Sequence, residues 1–199
     1  MAYSDFDLKT VQDCFQLELV EDRDLFSHLD PVKLSDLLAT LLRQNVPLAL
    51  AMNTEKARSE LIIINLLLEL KRHHPISLFS GLDFNVDRNQ GLNGFCDFII
   101  SQSTEQFFLK APVITAVEAK NENIVAGLGQ CLAEMVAARL FNEQAQNEIE
   151  TIYGVVTTGQ VWKFLKLQDN LASIDREDYY IKEPQKIAGI LTAMVEQRA

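Results

Sequence analysis

The sequence predicts an α/β fold in which a mixed central β-sheet is flanked by helices. Three observations predict it. Apolar residues recur at helical spacing through the first third of the chain and again after Gly127. Between them, and once more after Glu150, the apolar residues alternate with a period of two. A long helical stretch separates the two groups of strands, which a sheet containing parallel neighbours requires as a crossover. The 199 residues, 48% hydrophobic and 23% charged, suffice for one core without disulfide or metal staples.

Taken in order, residues 5–52 read as helical and acidic. In KLSDLLATLLRQ, Leu34, Leu37, Leu38, Leu41 and Leu42 mark one buried face, and Pro31 and Pro47 bracket the segment. NTEKARSELIIINLLLELKRHHP is the clearest helix. Asn53 or Thr54 caps it, Glu55 lies in its first turn, and Lys71, Arg72, His73 and His74 close it before Pro75. SLFSGLDFNVD and FCDFIIS form a hairpin through the turn-rich DRNQGLNG, and PVITAVEAK follows as a third strand. Gly127 and Gly129 flank the entry to an amphipathic helix, GLGQCLAEMVAARLFNEQAQ. Two strands, ETIYGVVTTG and QVWKFLKLQ, turn at Thr158-Gly159, and a short strand near Tyr179–Ile181 precedes a closing helix from Pro184. The expected organisation is an acidic N-terminal helical extension, residues 1–53, packed on a core of residues 54–199.

Charge narrows the function classes. Eighteen basic residues against 28 acidic ones leave a net charge of −10, which disfavours a basic coat on nucleic acid and an anionic membrane surface. Three cysteines without a C-x-x-C pair argue against a disulfide framework or a zinc ribbon. The polar, acidic start and the short apolar run LIIINLLLEL, interrupted by Asn65 and Glu69, lead to the expectation of a soluble, cytoplasmic protein without a membrane partner.

Three charged residues carry the candidate chemistry. Asp97 interrupts the apolar strand GFCDFII, where a lone carboxylate is costly to bury. Glu118 and Lys120 close the next strand and, two residues apart, point to the same side. Two carboxylates converging with a backbone carbonyl suit Mg²⁺, which lowers the pKa of a bound water and stabilises charge on a phosphoryl oxygen. Taken alone, E-x-K at a strand end is more often a solvated ion pair. Asp97 weighs against that reading, as do Glu60 on the preceding helix and Gln130 on the following one.

The set Glu60, Asp97, Glu118-Ala119-Lys120 and Gln130, in this order and on these element types, resembles the PD-(D/E)XK nuclease superfamily over roughly residues 54–168. TEKARSELI, LFSGLDFNVD, GLNGFCDFII, VEAKNENI, GLGQCLAEMVAA and YGVVTTGQVWKFLKL also resemble a group of cyanobacterial proteins of similar length. The superfamily resemblance implies a restriction-endonuclease-like αβββαβ core and a Mg²⁺- or Mn²⁺-dependent endonuclease acting on DNA. It implies Asp97 and Glu118 as metal-binding carboxylates with the Ala119 carbonyl as a further ligand, and Lys120 as the catalytic lysine. Glu60 matches the acidic residue offered to the metal or its water, and Gln130 the polar residue that orients the site or touches a phosphate. Cys96 stands where the motif's name has proline. A homodimer follows by analogy with the fold, and the acidic N-terminal segment is a candidate surface for a protein partner. The competing expectation is a non-catalytic DNA- or protein-binding regulatory module that keeps the fold.

Other features read more plainly. His73-His74 suits a helix C-terminus, Cys131 a buried thiol, and Trp162 a core or edge aromatic beside Lys163. The G-L-G at 127–129 lacks the third glycine of a dinucleotide loop, with Leu132 in its place. The acidity is uneven: residues 1–53 carry net −5, 121–199 net −4, and 54–120 only −1. The segment that would meet phosphate is therefore the least acidic.

Overall fold

The computed structural model describes residues 1–197. After a 3-10 turn at Tyr3–Asp5 come α1 (Leu8–Phe15), β1 (Glu18–Val20), α2 (Asp36–Met52) and α3 (Glu55–Arg58). A π-helical turn, Ser59–Ile63, leads into α4 (Ile64–His73), followed by β2 (Ser77–Asp83), β3 (Phe95–Ser101) and β4 (Val113–Ala119). The chain continues through α5 (Ile124–Gln144), β5 (Thr151–Thr157), β6 (Val161–Gln168), β7 (Leu171–Ile174), β8 (Tyr179–Tyr180) and α6 (Pro184–Val195).

The eight strands form one mixed sheet in the order β1-β7-β6-β5-β4-β3-β2, with β8 paired on β6. β4 and β5 run parallel, joined by the α5 crossover, and β1 runs parallel to β7; the other pairs are antiparallel. Helices cover both faces. Leu38, Ile62, Leu66, Ile190 and Met194, from α2 to α6, pack against Val117, Tyr153, Trp162 and Phe164. On the other face α1 and α5 bring Val11, Leu132, Met135 and Val136 against Ile99, Ile152, Val156 and Leu165. β4 is buried along its whole length, which explains why VITAVEA is nearly all apolar.

The expected helix–strand order is extended by two short strands. β1 lies inside the segment read as helical, and with β7 it adds a sheet edge built from the N-terminal residues. Three and four residues are too few for a period of two to register. Pro47 does not end a helix. α2 runs from Ser35, whose hydroxyl caps Leu38 N, through Pro47 to Asn53 in the left-handed region. Proline removes one N–H, and here both Pro47 and Arg43, whose carbonyl loses that partner, are exposed.

The helix predicted from residue 54 to 74 runs without a gap from Glu55 to His73, but its winding changes at the π turn Ser59–Ile63. Thr54 Oγ1 caps α3 by accepting from Ala57 N at 3.1 Å, and the π turn then adds a residue to one loop of the spiral. Asn65 Nδ2 donates to Leu61 O at 2.8 Å within the loosened stretch. α5 begins earlier than expected, at Ile124, with Asn123 accepting from Ala126 N. Gly127 and Gly129 lie inside this helix because of close approach. A Cβ on Gly129 would stand 2.3 Å from the Asp7 carbonyl carbon and 2.6 Å from Phe6 O. α5 is the one helix among the described residues long and apolar enough to cross a bilayer, and 61% of its most apolar window is buried inside the protein.

Candidate functional site

The site begins where β3 and β4 part. Their ladder runs from Ser101 opposite Val113 to Phe98 opposite Val117. One residue beyond, the amide of Ala119 donates to Asp97 Oδ2 at 2.8 Å, so a carboxylate takes the place of a strand carbonyl. The interruption of GFCDFII thus has a structural use as well as a chemical one. Asp97 is half-buried, and burial raises its pKa despite the Ala119 hydrogen bond and the Lys120 charge, which lower it.

On this side of the sheet a cleft of about 280 Å³ is lined by Asp97, Ala119 and Ser80, with Glu55, Lys56, Ser59 and Glu60 opposite. The π turn supplies Ser59 and Glu60 to that wall. Glu60, Asp97 and Ala119 therefore share one cleft. Glu60 is exposed at its rim and pairs with Lys56 at 2.8 Å.

Glu118 and Lys120 face the other way, toward α5. Glu118 is 3% exposed; its Oε1 lies 2.5 Å from Lys120 Nζ, which also donates to Gln130 Oε1 at 3.1 Å. Gln130 Nε2 in turn donates to Glu134 Oε1 at 3.1 Å. Glu134 is fully buried, and its carboxyl lies within hydrogen-bonding reach of the Glu118 carboxyl and the Cys96 thiol. Burial, then the charge of Asp97, pushes the Glu118 carboxyl up to about 7 against the pull of Lys120. Burial, then Glu118, pushes Glu134 well above the usual range. Two carboxyls in one dry space resist ionising together, which adds to the rise at Glu134. Lys120 shows the converse balance. Burial lowers its pKa, but Glu118, with Glu55 and Asp97, more than restores it, so the ammonium stays charged.

The structure thus links Asp97, Glu118, Lys120 and Gln130 electrostatically across the end of β4, and places Glu60 and Ala119 with Asp97 in the cleft. Glu118 does not line that cleft. Among the described residues, no group of three or more His, Cys, Asp or Glu converges as a metal-ligand cluster. In kind, the cleft's donors fit a hard divalent cation, since the carboxylates of Asp97, Glu60 and Glu55 are all oxygen ligands.

Glu134 joins this group although no motif in the sequence singles it out. Its signal was a lone acid inside the apolar GLGQCLAEMVAA, four residues after Gln130 and so on the same helical face. Cys96 and Cys131 are buried beside these acids, and burial with the charges of Glu134 and Glu118 raises both thiols, which leaves them unreactive. His73 lies 3.5 Å from Glu69 at the end of α4. Trp162 is fully buried and donates to Gly159 O at 3.2 Å. Lys163 is occupied by the carbonyls of Asp175, Arg176 and Glu177 and by Asp178. No family model, curated protein or solved structure matches this chain.

Proposed function

We propose that this chain is a metal-dependent nuclease of the PD-(D/E)XK type, with a restriction-endonuclease-like core, hydrolysing phosphodiester bonds in DNA. The observation that carries the reading is the concentration of costly buried charge where β3 and β4 part. Asp97 and Glu118 are both raised by burial there, and Lys120 stays charged between them. Acids perturbed by burial and by a specific charge partner beside a cleft are the pattern of a functional-site candidate.

Asp97 and the Ala119 carbonyl would hold Mg²⁺ or Mn²⁺ in the cleft, with Glu60 at the rim contributing through the metal or its water; Glu118, which faces α5, would join them by turning from Lys120. The cation supplies Lewis acidity at a phosphoryl oxygen and a water of lowered pKa. The chain's own residues do the rest. Lys120 Nζ has three donors; Glu118 and Gln130 take two, leaving one to bond the phosphate oxygen that gains charge during in-line attack. Gln130 holds the ammonium in place, and Asp97, accepting from Ala119 N, ties the end of β4 to β3 beside the cleft. Glu55 and Glu60 on the cleft wall oppose phosphate, with Lys56 the basic residue beside them. Non-specific DNA affinity is therefore weak, and binding relies on the cation, a second subunit or a protein partner docked on the acidic N-terminal segment.

The Glu118–Lys120 contact at 2.5 Å and the lack of a convergent ligand cluster among the described residues favour one rival, a non-catalytic binding module. Incubation of the purified protein with linear, branched and single-stranded DNA in Mg²⁺ or Mn²⁺ separates the two. The nuclease cuts at least one substrate, and Asp97→Ala and Lys120→Ala each stop it; cleavage that survives either substitution sinks the assignment. Calorimetry that shows no Mn²⁺ binding even with DNA present selects the module.

A further inference from the structure

Glu134 needs an explanation that stability does not supply. It sits on the buried side of α5 among Leu132, Ala133, Met135 and Val136, all 0% exposed. Its carboxyl has the Glu118 carboxyl and the Cys96 thiol within hydrogen-bonding reach, both of them buried. An apolar side chain of similar volume would relieve the desolvation cost at this position. On the side of Lys120, the carboxyl accepts from Gln130 Nε2 at 3.1 Å.

That bond settles which way the Gln130 amide faces. With Nε2 turned to Glu134, Oε1 is turned to Lys120 Nζ, which it meets at 3.1 Å. A reversed amide would point an N–H at the ammonium and lose both bonds. A side chain unable to accept at position 134 leaves the amide free to rotate. Lys120 would then be held by Glu118 alone, and would collapse fully onto that carboxylate. Gly127 borders the lysine stem, since a Cβ there would stand 3.0 Å from Lys120 Cε. The ammonium is thus placed from three sides, by Glu118, by Gln130 and by the helix backbone.

We propose that Glu134 is a positioning residue for Lys120, acting through the Gln130 amide. It rests on the reading of Lys120 as the reaction's lysine, and its test carries one readout independent of that reading.

The full chain, with ¹⁵N-labelled lysine, is compared with Glu134→Met, Glu134→Gln and Gln130→Ala. Three quantities are measured: the Lys120 ammonium ¹H–¹⁵N signal, assigned with Lys120→Arg; kcat and KM for DNA cleavage in Mn²⁺; and the melting temperature. Methionine keeps the volume and removes the acceptor. Glutamine keeps an acceptor for Gln130 and can donate to Glu118 Oε2. Glu134→Met and Gln130→Ala are expected to lose or shift the ammonium signal and to lower kcat about tenfold or more at similar KM. Glu134→Gln is expected to stay within about threefold of wild type, and Glu134→Met to melt no lower than wild type. A Lys120 signal and kcat unchanged in Glu134→Met overturn the proposal. So does a Glu134→Gln variant as impaired as Glu134→Met. If wild type cuts no DNA, the nuclease reading fails by itself. The ammonium signal then decides the positioning role: loss in Glu134→Met with retention in Glu134→Gln supports it, and an unchanged signal refutes it. Should Glu134→Met not fold, Gln130→Ala on its partly exposed side chain gives the same decision.

Discussion

Glu118→Gln offers the most direct check on the electrostatics of the site. In the folded chain the Glu118 carboxyl is pushed up to about 7 from the ordinary 4.5, by burial first and by Asp97 second. Below pH about 4.5 the group is protonated in both the folded and unfolded states and costs nothing. As pH rises the unfolded chain ionises first, while the folded chain retains the proton, so stability falls until about pH 7. Above that the loss is complete and the contribution is flat. At 1.36 kcal/mol per pH unit, the displacement is worth on the order of 3 kcal/mol. Glutamine removes the titration but keeps the shape. Its Oε1 can accept from Lys120, and its Nε2 can donate to the neighbouring Glu134 carboxyl. Urea unfolding of both proteins between about pH 4.5 and 7.5 therefore should give a difference that widens in favour of the variant. With a urea slope of roughly 1–3 kcal/mol/M, the midpoints should separate by about 1 M or more at the upper end. A difference that stays flat within about 0.5 kcal/mol would refute the reasoning. It would mean that Lys120 at 2.5 Å compensates burial fully and that Glu118 titrates as an ordinary carboxylate.

Other predictions concern single contacts. Gly129→Ala, which at most helix positions would gain about 1 kcal/mol, should instead cost roughly 1–3 kcal/mol in thermal unfolding, because its Cβ meets the backbone of Asp7. Asp97→Asn should leave stability within about 1 kcal/mol, since its Oδ1 can still accept from Ala119 N, while Mn²⁺ binding measured by calorimetry should be lost. Asp97→Ala, which strands that amide, should cost about 1–3 kcal/mol more than Asp97→Asn in chemical denaturation. Arg58→Met should destabilise by about 2–4 kcal/mol. The buried guanidinium bonds Asn121 O, Thr158 O and Asn53 Oδ1, tying α3 to the loops that follow β4 and β5.

Much of the fold is legible in the sequence wherever an element is long enough to show its period. β2 to β6, α2, α5 and α6 lie close to the segments that their apolar spacing marks. β1 and β7 are too short to show one, and Pro47 looked like a boundary because chain patterning does not report whether a carbonyl faces water. The π turn leaves no trace in spacing, yet it puts Glu60 on the cleft wall. Asp97, Glu118 and Lys120 stood out because their charges interrupt or end apolar strands. Glu134 did not, since an acid in an apolar helix is indistinguishable from a solvated position until the helix is known to be buried.

Periodicity and the cost of burying charge are local properties of the chain, and they suffice for a mixed α/β architecture with an acid–lysine set at the ends of two strands. The sequence also shows that the acidity lies mainly outside residues 54–120. Only the tertiary structure decided which sides those charges occupy. Alternation along one strand cannot say that β3 and β4 part at Phe98, turning Asp97 to the cleft while Glu118 and Lys120 meet α5. Nor can it pair residues from different elements, and the Glu118–Lys120–Gln130–Glu134 chain exists only because α5 packs across the end of β4. The physical reason is desolvation: a carboxyl's pKa depends on everything packed around it, and most of those neighbours are distant in sequence.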